Sequence, residues 1–389
     1  MNQDSAELPD ILIERGSYTT RCGYVGEEDP ISTFRTPSIS VEAQFRKIFE
    51  EALKVDPVQY KVVIVKNAMS TQKDLKDDAD LLFTKIHIKA CAFVSAQTGI
   101  LFSWVNKGSS GLIIDIGYES TLVVPIIELM TRMDHVATIS IAGRAIEQFI
   151  INKLLKHGIS KNIIEKNRDQ LFPYLMKDYF YFDSQSEHDF EREAIETRKK
   201  SLPNYMHLQD KEGKSIKLSL PSPILPPKLI IEKDNSNYLS FSEEINKNIL
   251  KIFESFGIEN LGSHMEFDHD PYTSWWVGRI IITGGASNIL GLRSLLLREL
   301  LKTVEIKRYR DSNRAPSSPL IDLKFRDVAF TIRNVPPEHD HSSWLGASII
   351  SSLKRFKKEF VLKEDYQNNP DIIFRLDNKE MWKSLYNDY

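Results

Sequence analysis

The chain is nearly without cysteine. Cys22 and Cys91 are its only two, and neither stands in a CxxC or other metal-like spacing. That argues against a disulfide framework and a cysteine metal site, and a reducing compartment is expected. No apolar run approaches the ~20 residues that a membrane-spanning helix needs. The first nine residues are acidic and polar, with no signal-peptide pattern. An excess of charge of one sign is lacking too. The net charge of −3 gives no general attraction to nucleic acid or to an anionic membrane. The expectation is a soluble intracellular protein, with no nucleic acid partner and no membrane insertion.

What is present begins with length. At 389 residues the chain is too long for one small core, so two or three domains are expected. Its organising stretch is 111–125, GLIIDIGYESTLVVP, which reads as a buried strand, a tight turn at Gly117 and a second strand. Residues 11–16, ILIERG, repeat the pattern of three apolar residues, an acid, one residue and a glycine. A third strand, 280–282, feeds Thr283-Gly284-Gly285. Helices are expected over 41–54, 70–83, 95–104, 145–157 and 241–256, and a strand over 133–141. Residues 159–182 read as helical with a break near Pro173. Residues 184–236 read as a polar, proline-bearing insertion holding one hairpin, 216–220 against 229–231. A strand over 330–335 and a helix over 343–353 follow.

Glycine permits a turn with positive φ and lets backbone N–H groups approach an anion closely. Two strand–acid–turn–strand units, with a strand–Gly-Gly turn after them, are the pattern of a phosphate clasp. Any one of these turns is also what a bare β-turn would supply.

Together these stretches resemble the actin family. The resemblance rests on Gly16-Ser17 and residues 21–30 (RCGYVGEEDP), 111–125, 141–144 (IAGR), 282–285, Pro336-Pro337-Glu338 and 343–349 (SWLGASI), in that order. It implies an α/β, actin-like fold of the superfamily shared with heat-shock chaperones and sugar kinases, with duplicated five-stranded sheet domains and flanking helices. Residues 9–105 with 330–389 would form one lobe and 106–329 the other, with 150–277 a smaller subdomain. Within the family the likeness is greatest to the branch at the pointed end of dynactin.

The resemblance assigns a nucleotide pocket to Glu14, Gly16, Ser17, Asp115, Gly117, Gly284 and Gly285. Several positions depart from the family pattern. Glu14 replaces an aspartate, Tyr18 a small residue, Tyr118 an acid, Glu119 a glycine and Leu122 a histidine, while the glutamine position falls at Gln97 or Thr98. Tyr118 and Glu119 are expected to fill or repel what a phosphate would occupy. The expectation is therefore a vestigial pocket with no catalytic residues, no enzyme activity and no required cofactor, residual ATP or ADP with Mg remaining open. Metal ligands are not expected, since His339 and His341 lack a third partner.

A second departure is a shortening. The family's small lobe after the first hairpins, with the loop that inserts into the next subunit, has no room between Pro37 and the helix starting at Val41. The opposite face is expected to keep a partner groove lined by Trp104, Leu345, Ile349, Ile350, Leu353 and Phe356. A subunit with one competent face and one blunted face terminates a filament. By resemblance, the partners are the actin-related filament subunits of dynactin and its small pointed-end subunits, with dynein engaged indirectly. A divergent subunit of a nuclear chromatin remodeller and a weak ATP-binding actin-like protein are the alternatives.

Overall fold

A computed structural model describes residues 8–103, 110–127, 129–183, 191–209, 215–225, 230–234, 237–255, 280–296, 298 and 341–376. The chain opens with β1 (Ile11–Arg15), β2 (Thr19–Tyr24), β3 (Ser32–Arg35), α1 (Val41–Lys47), β4 (Lys61–Lys66), α2 (Gln72–Leu81), β5 (Ala90–Ser95) and α3 (Ala96–Phe102). Then come β6 (Gly111–Ile116), β7 (Thr121–Ile127), β8 (Met130–Thr131), β9 (Ala137–Ile139), α4 (Gly143–Lys156), α5 (Lys161–Lys166) and α6 (Arg168–Tyr174). They are followed by β10 (Tyr181–Phe182), α7 (Arg192–Ser201), β11 (Tyr205–Gln209), β12 (Ser215–Ser219), β13 (Ile224–Leu225), β14 (Ile230–Asp234), β15 (Asn237–Ser240), α8 (Phe241–Ser255) and β16 (Ile280–Thr283). The last are α9 (Ser342–Ser352), β17 (Val361–Leu362) and α10 (Lys363–Asn368).

The chain divides into two compact units. One holds residues up to 111 with 124–134 and 341 onward; the other holds 112–123 and 135–340. Residues 124–134, expected in the second lobe, thus fall in the first unit.

The two echoing stretches build the same sheet path. β1 pairs antiparallel with β2 and parallel with β4, in the order β17-β5-β4-β1-β2-β3. β6 pairs with β7 and parallel with β16, and β9 and β8 pair antiparallel with β7. β4 and β6 lie inside their sheets and are buried on both faces, which is why their sequences run apolar without alternation. The first sheet has six strands because β17 adds to β5 at the edge.

The core of the first unit gathers Ile11, Ile13, Cys22, Phe45, Phe49, Val62, Ile64, Phe83, Cys91, Tyr366 and Ile373. Burying a side chain such as Phe45 contributes about 2–3 kcal/mol. Cys22 and Cys91 are both buried thiols, on β2 and β5 with β1 and β4 between them. Ile373 brings the tail onto this core; Trp382 and Leu385 lie outside the described residues.

Several local expectations are corrected. Residues 41–54 are not one α-helix: α1 passes into a π-helical turn, Ile48–Leu53, ending on Lys54 at φ 55. The strand expected over 133–141 is confined to Ala137–Ile139. The helical break lies at Asn167, not at Pro173. Asn167 leaves helical geometry and its Nδ2 donates to Ile163 O at 2.8 Å, ending α5, whereas Pro173 sits inside α6, just ahead of a π-turn, Leu175–Tyr179. The hairpin 216–220 with 229–231 does not form. β12 pairs with β11 and β14 with β15, because nearby strands close shorter loops. Residues 330–335 lie outside the described residues. Among the described residues no helix is long and apolar enough to cross a membrane.

Candidate functional site

The first hairpin belongs to the first unit. Gly16 N–H donates to Thr19 O at 2.9 Å, and a Cβ on Gly16 would lie 2.8 Å from that oxygen. The turn therefore requires glycine for its own closure. Ser17 is exposed. Glu14, at the end of β1, has both carboxylate oxygens engaged: Oε2 accepts from Arg21 Nη1 at 3.1 Å and Oε1 from the Ser343 hydroxyl of α9. Tyr18 does not project freely, since its ring lies under the Arg35 guanidinium at 5.3 Å. Gln97 is fully buried, and its Oε1 accepts from Ala68 N–H at 2.8 Å; Thr98 is buried beside it.

The second hairpin has the same closure in the other unit. Gly117 N–H donates to Ser120 O at 3.1 Å, and a Cβ there would meet Ser120 O at 2.9 Å. Gly117 O and Tyr118 O in turn accept from Gly143 N and Arg144 N, fixing the turn against the start of α4. Asp115 is half-buried at the end of β6, beside Gly284, which follows the parallel strand β16. Gly284 has φ +92, and its Cβ would stand 2.4 Å from Ile116 O and 2.6 Å from Asp115 Oδ1. Gly285 is different: it is exposed, and nothing among the described residues lies within 4 Å of its Cβ position. Packing thus accounts for Gly16, Gly117 and Gly284 but not for Gly285.

The expected roles of Tyr118 and Glu119 change. The Tyr118 hydroxyl bonds to Glu147 of α4, whose oxygens also accept from Arg168 Nε at 2.9 Å and Nη2 at 2.6 Å. Arg168 Nη2 reaches the Tyr118 hydroxyl as well, at 2.8 Å. Burial, then the hydrogen bond to Glu147, push the Tyr118 hydroxyl up to about 12. Glu119 forms an ion pair with Arg144, so its carboxylate charge is matched within its own unit. Leu122 is buried. Sequence reasoning missed Glu147, although an acid on the apolar stripe of α4, between Ile146 and Ile150, signals a buried partner.

It also missed a polar cluster in the first unit. Asp78 of α2 is 4% exposed and receives Arg15 Nη2 at 2.9 and 3.1 Å, together with Lys66 of β4. Arg15 Nη1 donates to Gln44 Oε1 of α1 at 3.2 Å.

Of the expected groove, Ile350 and Phe356 are fully buried and cannot line an open surface. α9 packs on α3 so closely that a Cβ on Gly346 would come 1.6 Å from Gly99 O, and this crossing turns Trp344, Ala347 and Ile350 inward. Leu345, Ile349 and Leu353 remain partly exposed, at helical spacing. Trp104 lies outside the described residues, as does His339. His341 Nε2 pairs with Asp29 at 3.1 Å, and no group of three metal-ligating side chains occurs among the described residues.

Comparison with known proteins agrees with this architecture. The family model described as Actin matches residues 39–173 and 272–375, more than half of the chain. A protein of Neurospora crassa described as an actin-like protein is 22% identical over 337 residues, covering 84% of this chain and 75% of that relative. With its duplicated hairpin sheets and this match, the chain belongs to the actin family.

Proposed function

We propose that the chain is a structural actin-related subunit that caps the pointed end of dynactin's actin-related minifilament, supporting dynein-driven transport along microtubules. The observation that carries this reading is the link between β3 and α1. Only residues 36–40 separate Arg35 from Val41, so no lobe intervenes where the family places its longitudinal loop. A subunit without that loop ends a filament instead of extending it. The stripe Leu345, Ile349 and Leu353 is the surface offered to a neighbouring filament subunit. Small pointed-end subunits are the partners on the blunt side, dynein is engaged indirectly, and the setting is the cytoplasmic cytoskeleton.

Enzyme activity is taken as lost. The residues present do not fit the hydrolysis of Mg-ATP: Glu14 is occupied by Arg21 and Ser343, Gln97 is buried on Ala68, and Leu122 cannot orient water. A second reading, weak binding of ATP or ADP, is favoured by Gly285, whose lack of a side chain serves no contact among the described residues. Affinity purification from the source cell tests the assembly. Recovery of dynactin subunits is expected, and recovery of remodeller subunits alone would refute the reading. Heating the protein with and without Mg-ATP tests the pocket, where a rise of several degrees would establish that nucleotide is held.

A further inference from the structure

The polar cluster around Asp78 has no part in the reading above, yet it reaches the 36–40 connection. Gln44 Nε2 donates to Pro37 O at 3.0 Å and to Ile39 O at 3.2 Å. Its Oε1 accepts from Arg15, and Arg15 is held by buried Asp78, which also takes Lys66. The same connection is tied to the Gly16 turn: Thr36 Oγ1 donates to Gly16 O at 2.7 Å, and Thr36 N–H to Tyr18 O at 2.8 Å. The Ile39 amide donates to Pro37 O at 2.9 Å, closing a tight turn that leaves the Ile39 side chain 47% exposed.

We propose that Arg15, Gln44 and Asp78 form a buried clip that fixes the 36–40 connection and couples it to the Gly16 turn, so that the outward face around Ile39 is set before any partner arrives. Three features support this. A five-residue link between a strand and a helix has few internal bonds of its own, so its conformation depends on outside partners. Gln44 supplies both amide protons to that link while its oxygen faces a guanidinium, an arrangement only an amide side chain can make. Arg15 is then kept in place by a buried carboxylate rather than by solvent. Gln44 and Arg15 are positioning residues; they act through the connection. The use of this face by a partner rests on the capping reading, but the clip does not.

The test is hydrogen exchange by mass spectrometry on the peptide spanning 36–40, in the full chain. Gln44→Glu keeps an acceptor for Arg15 but can no longer donate to the two carbonyls; Gln44→Met loses both sides. Each should speed exchange of the Ile39 amide at least about tenfold, since two hydrogen bonds to the link are lost and one of ordinary net strength alone is worth about that factor. Exchange elsewhere in the unit should stay unchanged in Gln44→Glu. Arg15→Met should give the same local effect with Gln44 intact. Unchanged exchange at Ile39 in a folded Gln44→Glu protein would overturn the clip. Faster exchange together with no binding to any filament subunit would leave the clip standing and remove the capping reading instead.

Discussion

Arg168→Met should expose how much the second hairpin depends on its buried acid. Glu147 has a side chain only 2% exposed, and it is held by two Arg168 nitrogens and the Tyr118 hydroxyl. Removing the guanidinium leaves a buried carboxylate with the tyrosine as its remaining partner among these. Breaking such a pair typically costs about 3–5 kcal/mol. Arg168 is itself 35% exposed, so water can reach part of the vacated space, and a loss of about 2–4 kcal/mol is expected here. Glu147→Gln keeps hydrogen-bonding capacity and leaves Arg168 hydrated, so its cost should be about 1 kcal/mol. The double variant Arg168→Met with Glu147→Met should recover most of the loss, because an apolar pair carries no desolvation penalty. Thermal melting followed by near-UV circular dichroism reads the series, at about 2–4 °C per kcal/mol for a unit of this size. If Arg168→Met melts within a degree of wild type, or the double variant is no better than the single, the buried network is not what holds this hairpin.

Three further outcomes are expected. Gly284→Ala should lose about 2 kcal/mol or more, from positive φ and a close approach to Ile116 O, while Gly285→Ala should stay within about 0.5 kcal/mol; urea denaturation distinguishes them. Asn246 of α8 is 3% exposed and its amide has no partner among the described residues, so Asn246→Leu should raise the urea midpoint by the equivalent of about 1 kcal/mol, and a lowered midpoint would mean the amide is satisfied otherwise. Hydrogen bonds from Thr71, the backbone N–H first, hold the Asp74 carboxyl below its ordinary range. Its folded-state value is depressed, so this cap contributes fully above the unfolded value near 4 and is lost as pH falls through the lower one. Acid melts of wild type and Asp74→Asn should converge once pH falls below the depressed carboxyl value, and a gap unchanged from neutral pH would refute the assignment.

The shortened 36–40 link gives the capping proposal a limited, physical content. The link leaves the sheet intact, since β3 pairs with β2 along its whole length. On the capping reading, the blunt face is a local change at a sheet edge.

By itself the sequence determined the repeated unit: three apolar residues, an acid and a glycine, twice, each followed by a returning strand. Strand interiors and turn glycines are local requirements, so 11–16 and 111–125 were legible without coordinates. The end of the lobe-less link was legible for the same reason, as a count of residues between Pro37 and Val41. Side-chain partnership was not legible. Tyr118 and Glu119 read as obstacles to a phosphate, but they bond to α4 and α6, whose residues stand 25 to 50 positions away in the chain. Phe356 read as a surface aromatic, yet the close crossing of α3 and α9 and the edge contact with Phe360 accompany its full burial. Arg15 gave no signal at all, because its meaning lies in Gln44 and Asp78. Local pattern decides which elements form; only tertiary packing decides which polar groups are removed from water, and buried polar groups must then find each other.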